Sequence, residues 1–128
     1  MILLDSNALL WAITSPKKLG RQLTKRLERL GCAFYSPLST FELQLAHLKG
    51  SAPALPNKLE TRLLELGFYE LPFRQIDSEA ARQLSGLQKT DPFDWMLVSQ
   101  ALASEADFYT ADMRLLSLGL DFVKDATH

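Results

Sequence analysis

Four acids stand out by their surroundings. Asp5 ends the apolar run MILL, Glu42 lies in STFELQ, Asp94 in DPFDW and Asp112 in FYTAD. Carboxylates brought together repel one another unless cations neutralise them, and hard divalent ions are the natural cations. Mg²⁺ or Mn²⁺ takes oxygen ligands, usually one or two carboxylates with waters and substrate phosphate; one or two such ions can activate water for phosphodiester hydrolysis. Each acid also has a plainer reading. Ser39-Thr40-Phe41-Glu42 matches a capping box, Asp91 is better explained as an N-cap than as a ligand, and Asp94 could support the same helix end. Asp5 and Asp112 could be solvated acids at strand ends. Neither histidine is a good proton-transfer group, since His47 falls on the surface of the Glu42 helix and His128 is terminal.

Whether the acids meet depends on the elements that carry them. Residues 1–4 are continuously apolar, as in a strand covered on both faces, and SNALLWAIT after Asp5 reads as a helix. Residues 17–30 place Leu19, Leu23, Leu27 and Leu30 on one stripe of an amphipathic helix, with Lys17, Lys18, Arg21, Lys25, Arg26 and Arg29 around it. Residues 33–36 form a second strand, and a helix opened by Pro37 and Ser39 runs to about Lys49. Asn57 and Glu60 suggest a capping box for a helix ending near Gly67. Residues 68–73 form a third strand whose far end Pro72 puts at a sheet edge or outside the ladder, and Asp77 or Ser78 caps a helix through Leu87.

The best-marked helix spans 91–106, with Asp91 as N-cap and Pro92 at the first helical position. Residues 107–112 and 120–123 supply a fourth and a fifth strand, with a short helix between them. Alternating strands and helices imply a parallel α/β sheet, because parallel neighbours need crossovers of helical length. In such sheets ligands gather beyond the carboxyl ends of the strands. Asp5 and Asp112 follow strands, and Glu42 and Asp94 lie one turn into helices, so all four could reach one rim.

Composition narrows the setting. The chain has 128 residues, 47% of them hydrophobic, and suits a single domain over 1–128. No stretch approaches the roughly 20 apolar residues of a membrane span, and the N-terminus lacks a signal-peptide pattern, so a cytoplasmic protein is expected. A formal net charge of −1 gives no overall field for nucleic acid, so any such site must be local. The lone Cys32 excludes an internal disulfide and reads as core packing.

MILLDSNALLWA, STFELQLAHLKG, DPFDWMLVSQA and FYTADMRLL, in this order over nearly the whole chain, resemble PIN-domain proteins, specifically the VapC-type ribonuclease toxins of bacterial toxin–antitoxin pairs. The resemblance implies a PIN-like three-layer α/β/α sandwich around a central, mostly parallel five-stranded sheet. It implies an endoribonuclease dependent on Mg²⁺ or Mn²⁺, whose acidic centre matches Asp5, Glu42, Asp94 and Asp112, and it implies a cognate antitoxin and, commonly, a homodimer. Ser6 and Thr110 fall at the family's hydroxyl positions, where either could orient a carboxylate or a metal-bound water, and Asp91 at the first acid of DPFD, a cap with a possible outer role.

Departures concern basic groups. Trp95 stands where many members carry arginine, Ala46 where many carry lysine, and Asn7 and Lys89 replace histidines. For RNA phosphates the Lys17–Arg29 segment offers the only dense cationic cluster, and Trp11 and Trp95 are candidates for base stacking. A catalytically silent PIN-like module that binds RNA or protein is the competing expectation. A phosphoacceptor receiver or phosphatase fares worse, because Asp5 is not part of a D-x-D or adjacent acidic pair.

Overall fold

No side chain of the first strand, β1 (Ile2–Leu4), reaches solvent, because the sheet it centres is covered on both faces. In the computed structural model, which describes residues 1–128, Ile2 and Leu4 point into one apolar cluster and Leu3 into another. The period of two along a strand sends neighbours to opposite faces, so a continuous apolar run needs two cores. Each fully buried leucine here contributes about 2 kcal/mol through burial.

The other elements are α1 (Ser6–Thr14), α2 (Arg21–Leu30), β2 (Ala33–Tyr35), α3 (Pro37–Leu48), α4 (Leu59–Glu65), β3 (Phe68–Glu70), α5 (Gln75–Ala80), α6 (Pro92–Ala103), β4 (Asp107–Thr110), α7 (Met113–Leu116) and β5 (Val123–Asp125). The five strands run in the order β3-β2-β1-β4-β5, and every neighbouring pair is parallel. Leu3 pairs with Phe34 on one side and Phe108 on the other. From β1 the chain steps outward to β2 and β3, then returns to lay β4 on the opposite flank. The switch point is therefore between β1 and β4, the crevice where open α/β sheets place ligands.

One core gathers Leu9, Leu23, Tyr35, Leu43 and Leu63 against Ile2 and Leu4; the other gathers Leu97, Val98, Ala101 and Leu115 against Leu3 and Phe108. The result is the three-layer sandwich expected, with a sheet that is wholly rather than mostly parallel.

Several local readings are corrected. The expected helix over 17–30 is two pieces, a 3₁₀ turn at Pro16–Lys18 and then α2. Gly20 separates them because its backbone lies against the C-terminal segment: its N–H donates to the Ala126 carbonyl at 2.8 Å, and a Cβ would overlap the His128 backbone. Helix α3 is capped by Ser36, whose hydroxyl accepts from Leu38 N–H at 3.2 Å; Ser39 lies inside the helix, buried, so the capping box ending on Glu42 does not form. Helix α4 begins at Leu59 after Lys58 in the left-handed region, without the Asn57 cap.

The helix expected from Asp77 to Leu87 is α5 followed by two 3₁₀ turns. Asp77 sits within α5 and accepts from Arg74 N–H at 2.7 Å, so the helix starts ahead of the cap position expected for it. Strand β3 stops at Glu70, and the buried Gln100 amide holds the departing chain by donating to the Leu71 and Pro72 carbonyls at 2.6 and 3.2 Å. Strand β4 ends at Thr110, two residues short of Asp112, and β5 pairs over 123–125 rather than 120–123. Cys32 is half-buried, not a core residue.

Candidate functional site

At the carboxyl ends of β1 and β4 an open cleft of about 390 Å³ is lined by Asp5, Glu42, Asp94 and Asp112, together with Ser6 and Asp91. Two of the acids follow adjacent strands, and the other two are carried by α3 and α6, so residues far apart in sequence share one rim.

Asp5 leaves β1 and caps α1, because its extended backbone ends the strand and its Oδ1 accepts from Ala8 N–H at 2.8 Å. Its Oδ2 accepts from the Thr110 hydroxyl at 2.5 Å, and that hydroxyl oxygen in turn accepts from Asp112 N–H at 3.0 Å. Burial pushes the Asp5 carboxyl up to about 6, aided by the charges of Glu42 and Asp112, while its bonds to Thr110 and Ala8 hold it from rising further. Glu42, half-buried on α3, accepts a hydrogen bond from the Ser6 hydroxyl. Ser6 and Thr110, the two hydroxyl residues expected beside the acids, therefore both touch cleft carboxylates.

Asp94 is the most exceptional of the four. It is half-buried and accepts no hydrogen bond, whereas Asp91 three residues earlier caps α6 by accepting from Phe93 N–H at 2.8 Å. Burial, then the charges of Glu42, Asp91, Asp112 and Asp5, push the Asp94 carboxyl up to about 7. Asp112 behaves oppositely. Burial raises it, but the Arg114 side chain and the Arg114 and Leu115 N–H groups outweigh burial and leave it below the usual carboxylate range.

Arg114 is not among the residues singled out by the sequence motifs, yet it lines the cleft, its guanidinium bonding both Asp112 oxygens from 3.3 and 3.4 Å. The signal was local: α7 begins after its cap, Asp112, so a basic residue two positions on lies in the first turn beside that acid.

The remaining candidates lie elsewhere. None of Lys17, Lys18, Arg21, Lys25, Arg26 and Arg29 lines the cleft. Arg26 is turned inward, bonding Asp107 at 2.5 Å and the Tyr109 hydroxyl at 3.0 Å, and Asp107 begins the strand whose other end carries Thr110. Lys17, Lys18, Arg21, Lys25 and Arg29 are exposed. Trp11 is half-buried beneath Lys18, and Trp95 is packed beside the second core with its indole N–H on the Ala81 carbonyl at 3.3 Å. Asn7 and Ala46 do line the cleft, so those neutral replacements bear on it directly, whereas Trp95 does not line it.

The donor set is all oxygen, which fits a hard divalent cation, and the raised Asp5 and Asp94 carboxyls mark crowded negative charge that such an ion would neutralise. No three of the His, Cys, Asp and Glu side chains stand close enough to close around an ion by themselves. The fit is therefore to an ion held by one or two carboxylates and completed by water and substrate oxygen, as Mg²⁺ prefers.

A parallel α/β/α sandwich with carboxylates at its switch point is the class that fold and site define. A family model described as PIN domain matches residues 2–119, and the chain belongs to the PIN-domain family, whose members are nucleases. No curated protein is significantly similar in sequence. Among solved structures the fold is similar to that in VapBC2 from Rickettsia felis bound to a DNA fragment from their promoter, at 19% identity, TM-score 0.67 and 98% coverage of each chain. It is similar to FitAcB from Neisseria gonorrhoeae at 23% identity and TM-score 0.65, covering 100% of this chain and 99% of that one. A toxin–antitoxin complex from Klebsiella pneumoniae gives 17% identity, TM-score 0.62 and coverage of 96% and 95%. No helix is long and apolar enough to cross a membrane.

Proposed function

We propose that this chain is an endoribonuclease dependent on Mg²⁺ or Mn²⁺, acting in the cytoplasm as the toxin of a toxin–antitoxin pair. The observation that carries the reading is that Asp5, Glu42, Asp94 and Asp112, from separate segments, line one cleft at the β1/β4 switch point. When bound, one or two such ions supply an activated water and neutralise charge at the phosphodiester, with cleavage to a 5′-phosphate and a 3′-hydroxyl.

The chain's own residues position that chemistry. Asp94 accepts no hydrogen bond and Asp5 is fixed by Thr110 and Ala8, so one or two of Asp5, Asp94 and Asp112 would hold a given cation directly, with water and substrate oxygen completing it, while Glu42, oriented by Ser6, takes up a water. Asp91 keeps the start of α6 in place. An open cleft suits splayed, single-stranded RNA better than a duplex. The exposed Lys17, Lys18, Arg21, Lys25 and Arg29 lie outside the cleft and would supply long-range attraction without reading sequence. Arg26 would hold α2 on the sheet.

Two partners follow from the same reading. The fold's likeness to toxin–antitoxin complexes supports a cognate antitoxin, and membership of the PIN-domain family, where homodimers are common, supports a homodimer. A catalytically silent binding module is the competing reading, favoured by the neutral Asn7 and Ala46 in the cleft. Incubating purified protein with mixed RNA and Mg²⁺ or Mn²⁺, beside Asp5→Asn, separates the two. Cleavage by the parent and not by the variant supports the enzyme; intact RNA with both supports the silent module.

A further inference from the structure

The cleft holds one basic side chain among its lining residues, and it is Arg114. Its head hydrogen-bonds a single residue, Asp112, with Nε 3.4 Å from Oδ1 and Nη2 3.3 Å from Oδ2. These are long for a charge-assisted fork, and the Arg114 side chain is 76% exposed while that of Asp112 is 27% exposed. An exposed pair of this geometry is weak and exchanges readily. Asp112 needs no arginine side chain for its structural role, because its cap bond runs to the Arg114 backbone N–H at 2.8 Å. The guanidinium can leave without disturbing α7.

Two demands meet at this position. The Asp112 carboxylate that Arg114 occupies is one the divalent cation would use, and a nucleic-acid phosphate entering among four acids needs a positive group beside it. The exposed cations of residues 17–29 cannot meet that second demand within the cleft, since none lines it. Resting on the nuclease reading above, we propose that Arg114 is a displaceable arm: it neutralises Asp112 while the cleft is empty of metal, and it turns to the RNA phosphate once a divalent cation takes that carboxylate. Arg114 would thus be a positioning and substrate-binding residue whose two partners compete for it.

The two roles predict opposite effects from one substitution. In Arg114→Ala, Mn²⁺ titrated calorimetrically into RNA-free protein binds tighter by about 2- to 5-fold, because a competitor for Asp112 is gone. Short single-stranded oligouridine, followed by fluorescence anisotropy with Ca²⁺ in place of Mg²⁺ and checked intact on a gel, binds the variant about 10-fold more weakly. The salt dependence of that binding falls by about 0.7 in log–log slope, the value of one single-strand phosphate contact. Arg114→Lys keeps most of the slope and loses affinity, because a point charge replaces a planar fork. Melting temperature changes little in either variant, because the exposed pair is weak and the cap bond to the Arg114 N–H is retained. Unchanged or weaker Mn²⁺ binding overturns the counter-ion role, and an unchanged oligouridine slope overturns the arm. Asp94→Asn run alongside separates this from the function itself: if parent and Asp94→Asn take up Mn²⁺ equally, the metal-dependent nuclease reading fails, whereas normal loss in Asp94→Asn with an inert Arg114→Ala sinks only the arm.

Discussion

The Thr110 hydroxyl donates to Asp5 Oδ2 at 2.5 Å across a sequence separation of 105, joining the carboxyl ends of the adjacent strands β1 and β4 beneath the cleft. The same hydroxyl oxygen accepts from Asp112 N–H, so one side chain sets the orientation of one acid and the backbone position of another. Both Asp5 and Thr110 are buried, which makes the bond hard for water to replace.

Thr110→Val should therefore act on two acids at once. Losing a buried hydroxyl partner leaves an acceptor and an N–H unsatisfied, a cost of about 1–3 kcal/mol. The Asp5 carboxyl, which Thr110 holds down, should rise further above about 6. The expected outcome is a lower melting temperature together with weaker Mn²⁺ binding at pH 7. Thr110→Ser, which keeps the hydroxyl, should restore Mn²⁺ binding; calorimetry on the two variants checks this.

Asp91 and Asp94 should part company although three residues separate them. Asp91→Ala removes a helix cap and should cost about 1 kcal/mol of stability while leaving Mn²⁺ binding largely intact. Asp94→Asn breaks no hydrogen bond and relieves repulsion, so the metal-free protein should melt no lower than the parent at neutral pH while Mn²⁺ binding and RNA cleavage are lost. Thermal melts with and without Mn²⁺ provide the comparison. A large metal-free drop in Asp94→Asn would instead make Asp94 a structural cap.

Stability without metal should fall as the pH rises through neutrality. Asp5 and Asp94 have folded pKa values raised to about 6 and about 7 from 3.8, so between those limits the folded state holds more protons than the unfolded one. By linkage their cost is zero well below 3.8 and complete above the folded values, and for buried Asp5 it is on the order of 3 kcal/mol. Asp112 and Asp125 are lowered, so their contribution is present above the unfolded pKa and lost as pH falls through the folded value. Metal-free melting temperature should rise as the pH falls from about 8 to about 5, and Mn²⁺ should raise it more at pH 8 than at pH 5. A rise in metal-free melting temperature from pH 5 to pH 8 would contradict the crowded-carboxylate account.

Much of this protein was legible along the chain. MILL specified a strand buried on both faces because an uninterrupted apolar run has no side to give to water. Asp91 and Pro92 marked the start of α6 by chemistry that acts over two or three residues, and the observed cap is the one expected. The alternation of strands and helices implied the parallel sheet, and with it the rim where strand-end acids would stand.

What the chain could not declare were relations between distant segments. Ser39 and Glu42 carry a capping signature, yet Glu42 meets Ser6 because α1 and α3 start at one rim, and Ser36 takes the cap. Lys17–Arg29 looked like one basic helix, but Gly20 gives its space to the backbone of His128, and Arg26 turns away from solvent to Asp107 and Tyr109. That Arg114 stands beside Asp112 follows locally from the start of α7, but that the pair faces three further acids appears only once β1 and β4 lie side by side and the cleft forms. Local rules decide caps, turns and buried runs because their energies arise within a few residues. Which charges face one another is decided by packing, since the desolvation and repulsion that set Asp5 and Asp94 apart exist only once the sheet has brought them to one crevice.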